Sequence, residues 1–166
     1  MARKEYLSYE ERLRFDSPPI LTNLQRAIFL QLPEWAEQYY KTLTTATNQV
    51  GFLMQLGYFR IACRFFESLQ FRPEDITFVQ KAGKNIDPNE VDMLLYKQST
   101  SYYRHQLEIL SSLGFEAFSN HHRVVLLKEA KRLAHQQVKP AGIVDSCITY
   151  LRERRIEIPP YSTMRN

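Results

Sequence analysis

The chain has 166 residues, of which 44% are apolar and 24% charged, with five glycines and eight prolines. Those proportions describe one folded domain or two small ones and exclude a fibre, a collagen-like repeat or a disordered tail. The net charge of +4 is concentrated late: 13 Lys/Arg stand against 14 Asp/Glu up to Ser119, then 9 against 4 from Asn120 onward. A concentrated basic region attracts polyanions, nucleic acid first among them.

The N-terminal half opens with two capping boxes. Ser8-Tyr-Glu-Glu11 starts a short helix that Asp16-Ser-Pro-Pro19 stops, and Thr22-Asn-Leu-Gln25 starts a second with Leu24, Ile28 and Phe29 inward. Pro33 suits the first turn of a third helix, and Thr47 caps a fourth over Asn48 to Leu56. The longest nearly apolar run, Val50 to Phe59, is broken by Gln55 and is well short of the roughly 20 residues of a membrane span. No leader pattern is present at the N-terminus, and Cys63 and Cys147 stand far apart without a C-x-x-C, so the expectation is a soluble protein of a reducing cytosol with no metal site.

Arg72-Pro73-Glu-Asp and Asp87-Pro88-Asn-Glu begin two further helices, with acidic residues complementing the helix dipole. Ser99 caps a helix to Leu113 that Gly114 ends, Ser119 opens one to about Gln137, and Pro140 opens the last, to about Arg155. Ile156-Glu-Ile-Pro-Pro160 alternates too briefly for a strand. The expected fold is all-α. Tight turns around Gly57, Gly83, Gly114 and Pro140 fit small bundles of helix-turn-helix type and fit plain helical bundles equally.

Ten Phe, ten Tyr and one Trp supply rings for a core with some left over for recognition. No Gly-rich phosphate loop, H-E-x-x-H or nucleophile elbow is present, and adjacent His121 and His122 diverge on a helix, so neither catalysis nor a cofactor is expected.

A set of local strings is more specific. In order they are Leu7-Ser-Tyr-Glu-Glu-Arg-Leu-Arg-Phe-Asp-Ser-Pro-Pro19, Thr47-Asn-Gln-Val-Gly-Phe-Leu-Met-Gln-Leu-Gly-Tyr-Phe-Arg60, Cys63-Arg-Phe-Phe66 and Phe71-Arg-Pro-Glu-Asp-Ile76. They continue with Tyr103-Arg-His-Gln-Leu-Glu-Ile109, Leu113-Gly-Phe115, Glu129-Ala-Lys-Arg-Leu-Ala134, Val138-Lys-Pro140 and Arg155-Ile-Glu-Ile-Pro159. From about Leu7 to Met164 the chain resembles the N-terminal region of the replicative transposases of the Tn-three family. The resemblance implies a bacterial, cytoplasmic, nucleoid-associated module that binds double-stranded DNA at transposon terminal inverted repeats. It implies tandem helical bundles, here divided as residues 1–84 and 85–166, the second ending in a linker. It also implies an excised fragment, monomeric alone, of an oligomeric parent whose Asp-Asp-Glu catalytic domain lies downstream.

Given that resemblance, the start of the Ser99 helix is the first choice for base readout, through Lys97, Ser99, Ser101, Tyr102, Arg104 and His105. Arginine matches guanine O6 and N7, although Arg104 also has Glu108 one turn on as an ion-pair partner. On that helix Tyr103, Leu107, Leu110 and Leu113 form the apolar side. Arg60 and Arg64, after a turn at Gly57, are second-choice contacts, with Phe65 and Phe66 assigned to the core. Lys128, Lys131, Arg132 and His135 form a stripe for a phosphate backbone or a solvated face, over a buried side of Leu126, Leu127, Ala130, Leu133 and Ala134. Val144, Cys147, Ile148 and Leu151 make the last helix amphipathic, and Arg152, Arg154 and Arg155 at its end serve DNA or the helix dipole. The alternative reading is a helical protein-interaction or regulatory module within a transposase assembly.

Overall fold

Capping chemistry sets most of the helix starts. In the computed structural model, which describes residues 5–83 and 86–165, Ser8 Oγ accepts from Glu11 N (3.2 Å) while Ser8 N donates to Glu11 (2.8 Å). Thr22 and Gln25 repeat the exchange. Among the described residues ten α-helices result: α1 (Tyr9–Asp16), α2 (Asn23–Arg26), α3 (Glu34–Lys41), α4 (Ala46–Ala62), α5 (Pro73–Gly83), α6 (Met93–Gln98), α7 (Thr100–Leu113), α8 (Asn120–His135), α9 (Pro140–Glu153) and α10 (Tyr161–Arg165). Short 3-10 turns occupy Ala27–Phe29, Ser68–Gln70 and Pro88–Glu90. Among the described residues the only strand-like pairing is one parallel bridge, Glu116 with Ile156, so the class is all-α.

The fourth helix differs from expectation. Thr45, not Thr47, caps it, and it continues past Leu56 to Ala62 with no turn at Gly57. Thr47 instead donates to Glu90 O (3.1 Å) and accepts from Asp92 N (3.0 Å). Glycine costs a helix interior about 1 kcal/mol relative to alanine. Here the missing side chains make room: a Cβ on Gly57 would collide with the Phe29 ring, and one on Gly51 with the Tyr96 ring. Both glycines are seats for aromatic rings. The turn expected around Gly83 falls on residues 84–85, outside the described residues. Asp87-Pro88 makes a single 3-10 turn, and Asp92 caps the helix that follows, accepting from Leu95 N (3.0 Å).

The chain divides into two compact units: a central one, Pro18–Leu113, and a terminal one made of Met1–Ser17 with Gly114–Asn166. A division between residues 84 and 85 is therefore not the one observed, because α5, α6 and α7 all pack on α4. In the central unit every residue from Val50 to Phe59 is buried. A helix apolar all round is a core helix, which accounts for the run that was too short to span a membrane. Leu24, expected inward, is 87% exposed, while Phe29 is fully buried. Phe65 and Phe66 are buried as expected.

In the terminal unit α8 and α9 pack through Leu126, Leu133, Ile143, Val144, Cys147 and Leu151. Tyr161 ties α1 to α10: its Oη accepts from Tyr6 N (3.0 Å) and Leu7 N (3.2 Å), and its N donates to Asp16 (3.0 Å). Both α8 and α9 end in a turn with a non-glycine residue at positive φ, Gln137 (61°) and Arg155 (54°). The bonds Val138 N to Leu133 O (3.1 Å) and Ile156 N to Leu151 O (2.9 Å) close the two ends in the same way. Gly114, at φ 70°, follows α7 as expected, and Pro140 occupies the first turn of α9.

Candidate nucleic-acid interface

The start of α7 is largely committed to packing. Ser99 Oγ accepts from Tyr102 N (3.3 Å) and donates to Tyr96 O (2.7 Å), so it caps the helix. Ser101 Oγ accepts from Asn48 Nδ2 (3.3 Å), and Tyr102 is buried with Oη donating to Phe66 O (3.3 Å). His105 is buried against Tyr39, Phe52 and Tyr96. Gln55 Nε2 donates to Tyr96 Oη, and Tyr96 Oη in turn lies 2.6 Å from His105 Nδ1. Burial, with the positive charge of Arg104 beside it, draws the His105 imidazolium down to about 4. Burial also raises the Tyr96 phenol.

Arg104 stands exposed on the outer side of α7 with Tyr103 and Leu107, which are 63% and 66% exposed. The apolar side read from spacing is thus rotated: Tyr102, His105, Ile109 and Leu110 are the buried residues. Tertiary partners decided this, since the ring network around His105 anchors the other face. Glu108 accepts from Ser112 Oγ (3.2 Å) and forms no ion pair with Arg104. Lys97 pairs with Glu67 (3.0 Å).

Arg60 and Arg64 are held inward. With no turn before it, Arg60 lies inside α4 and donates to Ile28 O (3.3 Å) and Gln31 O (2.7 Å), with burial lowering its pKa. Arg64 is 5% exposed and lies over the Phe66 ring, 4.6 Å from its centroid.

The terminal unit presents several cations outward. On α8, Lys128, Lys131, Arg132 and His135 are all exposed. Arg132 grips Glu129 with two bonds, 2.9 and 2.6 Å, which lower the Glu129 pKa and raise that of Arg132. Leu127 and Ala134, assigned to the buried side, are exposed; Leu126 and Leu133 alone are fully inward. Two residues not named as contacts from the sequence, Asn120 and Val124, are exposed on the same side as the lysines, with exposed His121 beside Asn120. The i, i+4, i+8 spacing of Asn120, Val124 and Lys128 is the signal that identifies them.

At the end of α9, Arg152, Arg154 and Arg155 are exposed, and Arg154 stacks on Tyr150 at 3.8 Å. Cys147 is a core residue, and burial pushes its thiol up to about 11. Among the described residues no helix is long and apolar enough to cross a membrane, and no three His, Cys, Asp or Glu side chains are grouped to hold a metal.

The chain is similar to the transposase for transposon Tn1546 of Enterococcus faecium, with 23% identity over 158 residues, covering 87% of this chain and 16% of that protein. The chain thus spans about one sixth of the length of that relative. A family described as a domain of unknown function, DUF4158, matches residues 6–166, and the chain belongs to that family.

Proposed function

We propose that this chain binds duplex DNA at the terminal inverted repeats of a transposon, as the N-terminal, targeting part of a replicative transposase acting in the bacterial cytoplasm at the nucleoid. The observation that carries the reading is the set of exposed cations on the terminal unit: Lys128, Lys131 and Arg132 on α8, and Arg152 and Arg154 at the end of α9. Each cation that neutralises a phosphate releases condensed counterions, so affinity falls steeply with salt. On the central unit the exposed Arg104 is proposed as a further contact to the duplex. Lys97 and Ser101 flank it near the start of α7. Strand transfer is not assigned to these residues; the proposed module is monomeric alone and works within an oligomeric parent.

The test is affinity for a terminal-repeat duplex and a scrambled duplex across a salt series. The expected result is tighter binding to the repeat at every salt concentration, with both affinities falling as salt rises. Equal affinity for the two removes sequence recognition, and salt-independent binding removes the electrostatic basis.

One observation favours a second role for the central unit. Leu94 and Leu95 on α6, and Tyr103 and Leu107 on α7, are more than half exposed. Exposed apolar side chains in such number suit a protein partner within a transposase assembly. Under that reading Leu107→Ser leaves DNA affinity intact and weakens assembly of the full-length transposase on the transposon end.

A further inference from the structure

The basic residues of α8 do not stand alone on their face. One turn apart along the outward side run Asn120, Val124, Lys128, Lys131 and His135, with His121 beside Asn120. This line carries no carboxylate; Glu129 lies off it and is held by Arg132. Its first turns are uncharged and its second half is cationic. Val124 is the telling member, a β-branched apolar residue 48% exposed between Asn120 and Lys128, with Leu127, 50% exposed, at the edge of the same face.

The face of α9 is the opposite. Its outward side is centred on Asp145, Thr149 and Glu153, all exposed, and the shallow cavity beside it is lined by Glu129, Asp145 and Glu153 and, at its edge, by Arg154. Pressed into a groove, that side would set carboxylates against phosphates. In a helix-turn-helix pair the second helix customarily enters the major groove. Those carboxylates disfavour that order for α8 and α9 and leave Arg152 and Arg154, at the far end of α9, for flanking phosphates.

We infer that α8, the first helix of the pair, lies in the DNA major groove, with Asn120, His121 and Val124 against base edges and Lys128, Lys131 and His135 toward phosphates. The inference rests on the DNA-binding reading above and adds which helix reads and with which side chains. Asparagine forms a paired contact with adenine N6 and N7, and an apolar side chain fits the thymine methyl group. The line from Asn120 to His135 rises about 22 Å at 1.5 Å per residue. A major groove about 12 Å wide admits such a helix, with its cationic end at the flanking backbone.

The test is selection by the 166-residue chain from a pool of randomised duplexes, repeated with variants. Wild-type protein enriches a motif containing an A·T pair. Asn120→Ala and Val124→Ala each lose the preference at one position, with roughly tenfold weaker binding to the motif and unchanged binding to random duplex. Lys128→Ala with Lys131→Ala weakens motif and random duplex alike and lowers the salt slope by about 2. These side chains are exposed, and unchanged far-ultraviolet circular dichroism confirms that each variant is folded. If Asn120→Ala and Val124→Ala keep both motif and affinity, the inference is overturned; loss of the motif in Arg104→Ala then puts the reader on α7. Salt-dependent binding with no motif overturns base reading by α8 and leaves the electrostatic part of the DNA reading standing. No binding to any duplex overturns both.

Discussion

The two units use polar side chains in opposite ways. Among the described residues, the buried polar and charged side chains are Thr47, Gln55, Arg64, Ser68, Asp75 and His105, and all six lie in the central unit. There Arg26 pairs with Asp75 at 2.7 Å, Tyr58 Oη donates to the same carboxylate at 2.6 Å, and Arg72 reaches the carbonyls of Pro18 and Pro19. The terminal unit builds its interior from Leu, Ile, Val, Cys and Tyr and leaves Lys128, Lys131, Arg132, Arg152, Arg154 and Arg155 in solvent. Arg26, Arg60, Arg64 and Arg72 are structural, whereas those outer cations, and Arg104 on the central unit, are available. Position in the fold, not residue type, separates them.

That contrast sorts the expected effects by size. Asp75→Ala is the most severe, because it leaves Arg26 uncompensated and Tyr58 without its acceptor. It should lower the stability of the central unit by about 3–5 kcal/mol. Trp35, the only tryptophan, lies on α3 in that unit, so its fluorescence follows this transition in urea. An unchanged midpoint would show that the buried pair is not structural and break the contrast.

Acid comes next. Folding draws the His105 pKa from the usual 6.5 to about 4, so the neutral ring is the folded form. Its contribution is whole above pH 6.5 and is lost as the pH falls toward 4, up to about 3 kcal/mol. His105→Gln should flatten that part of the Trp35 stability profile between pH 6.5 and 4, and a profile of unchanged slope would count against a buried neutral imidazole.

Smaller still is relief of the left-handed turn after α8. Gln137→Gly removes the cost of positive φ and should raise stability by about 0.5–1 kcal/mol, read as a higher urea midpoint by circular dichroism. Smallest is Lys131→Ala on the exposed face of α8, expected to change stability by less than about 0.5 kcal/mol. A large loss there would mean that the terminal unit also depends on its cations for folding.

Features with local causes were legible in the sequence. The capping boxes at Ser8 and Thr22, the proline start of α9, the glycine after α7 and the amphipathic spacing of Val144, Cys147 and Leu151 each depend on neighbours within a few residues. Gly57 was misread as a turn because its meaning lies with Phe29, distant in sequence. The face of α7 was misread for a similar reason: spacing groups Tyr103 with Leu107, but Gln55, Phe66 and Tyr96 hold Tyr102 and His105 inward. The charge asymmetry was visible as a count. Which cations stay outside was not, because Arg60 and Arg64 were removed by carbonyls and rings that only the fold brings near.

The bridge between Glu116 and Ile156 has a topological consequence. Glu116 N donates to Arg155 O at 2.9 Å, Glu157 N donates to Glu116 O at 2.8 Å, and Phe118 N donates to the Glu157 carboxylate at 3.2 Å. These bonds bring the two backbone ends of the α8–α9 hairpin to within one hydrogen bond of each other. Closing so long a loop costs entropy in an open chain. Here the clasp has already closed it, which makes residues 116–157 suited to backbone cyclisation or to grafting into a host loop. The helix proposed to read DNA thus sits inside a nearly circular segment.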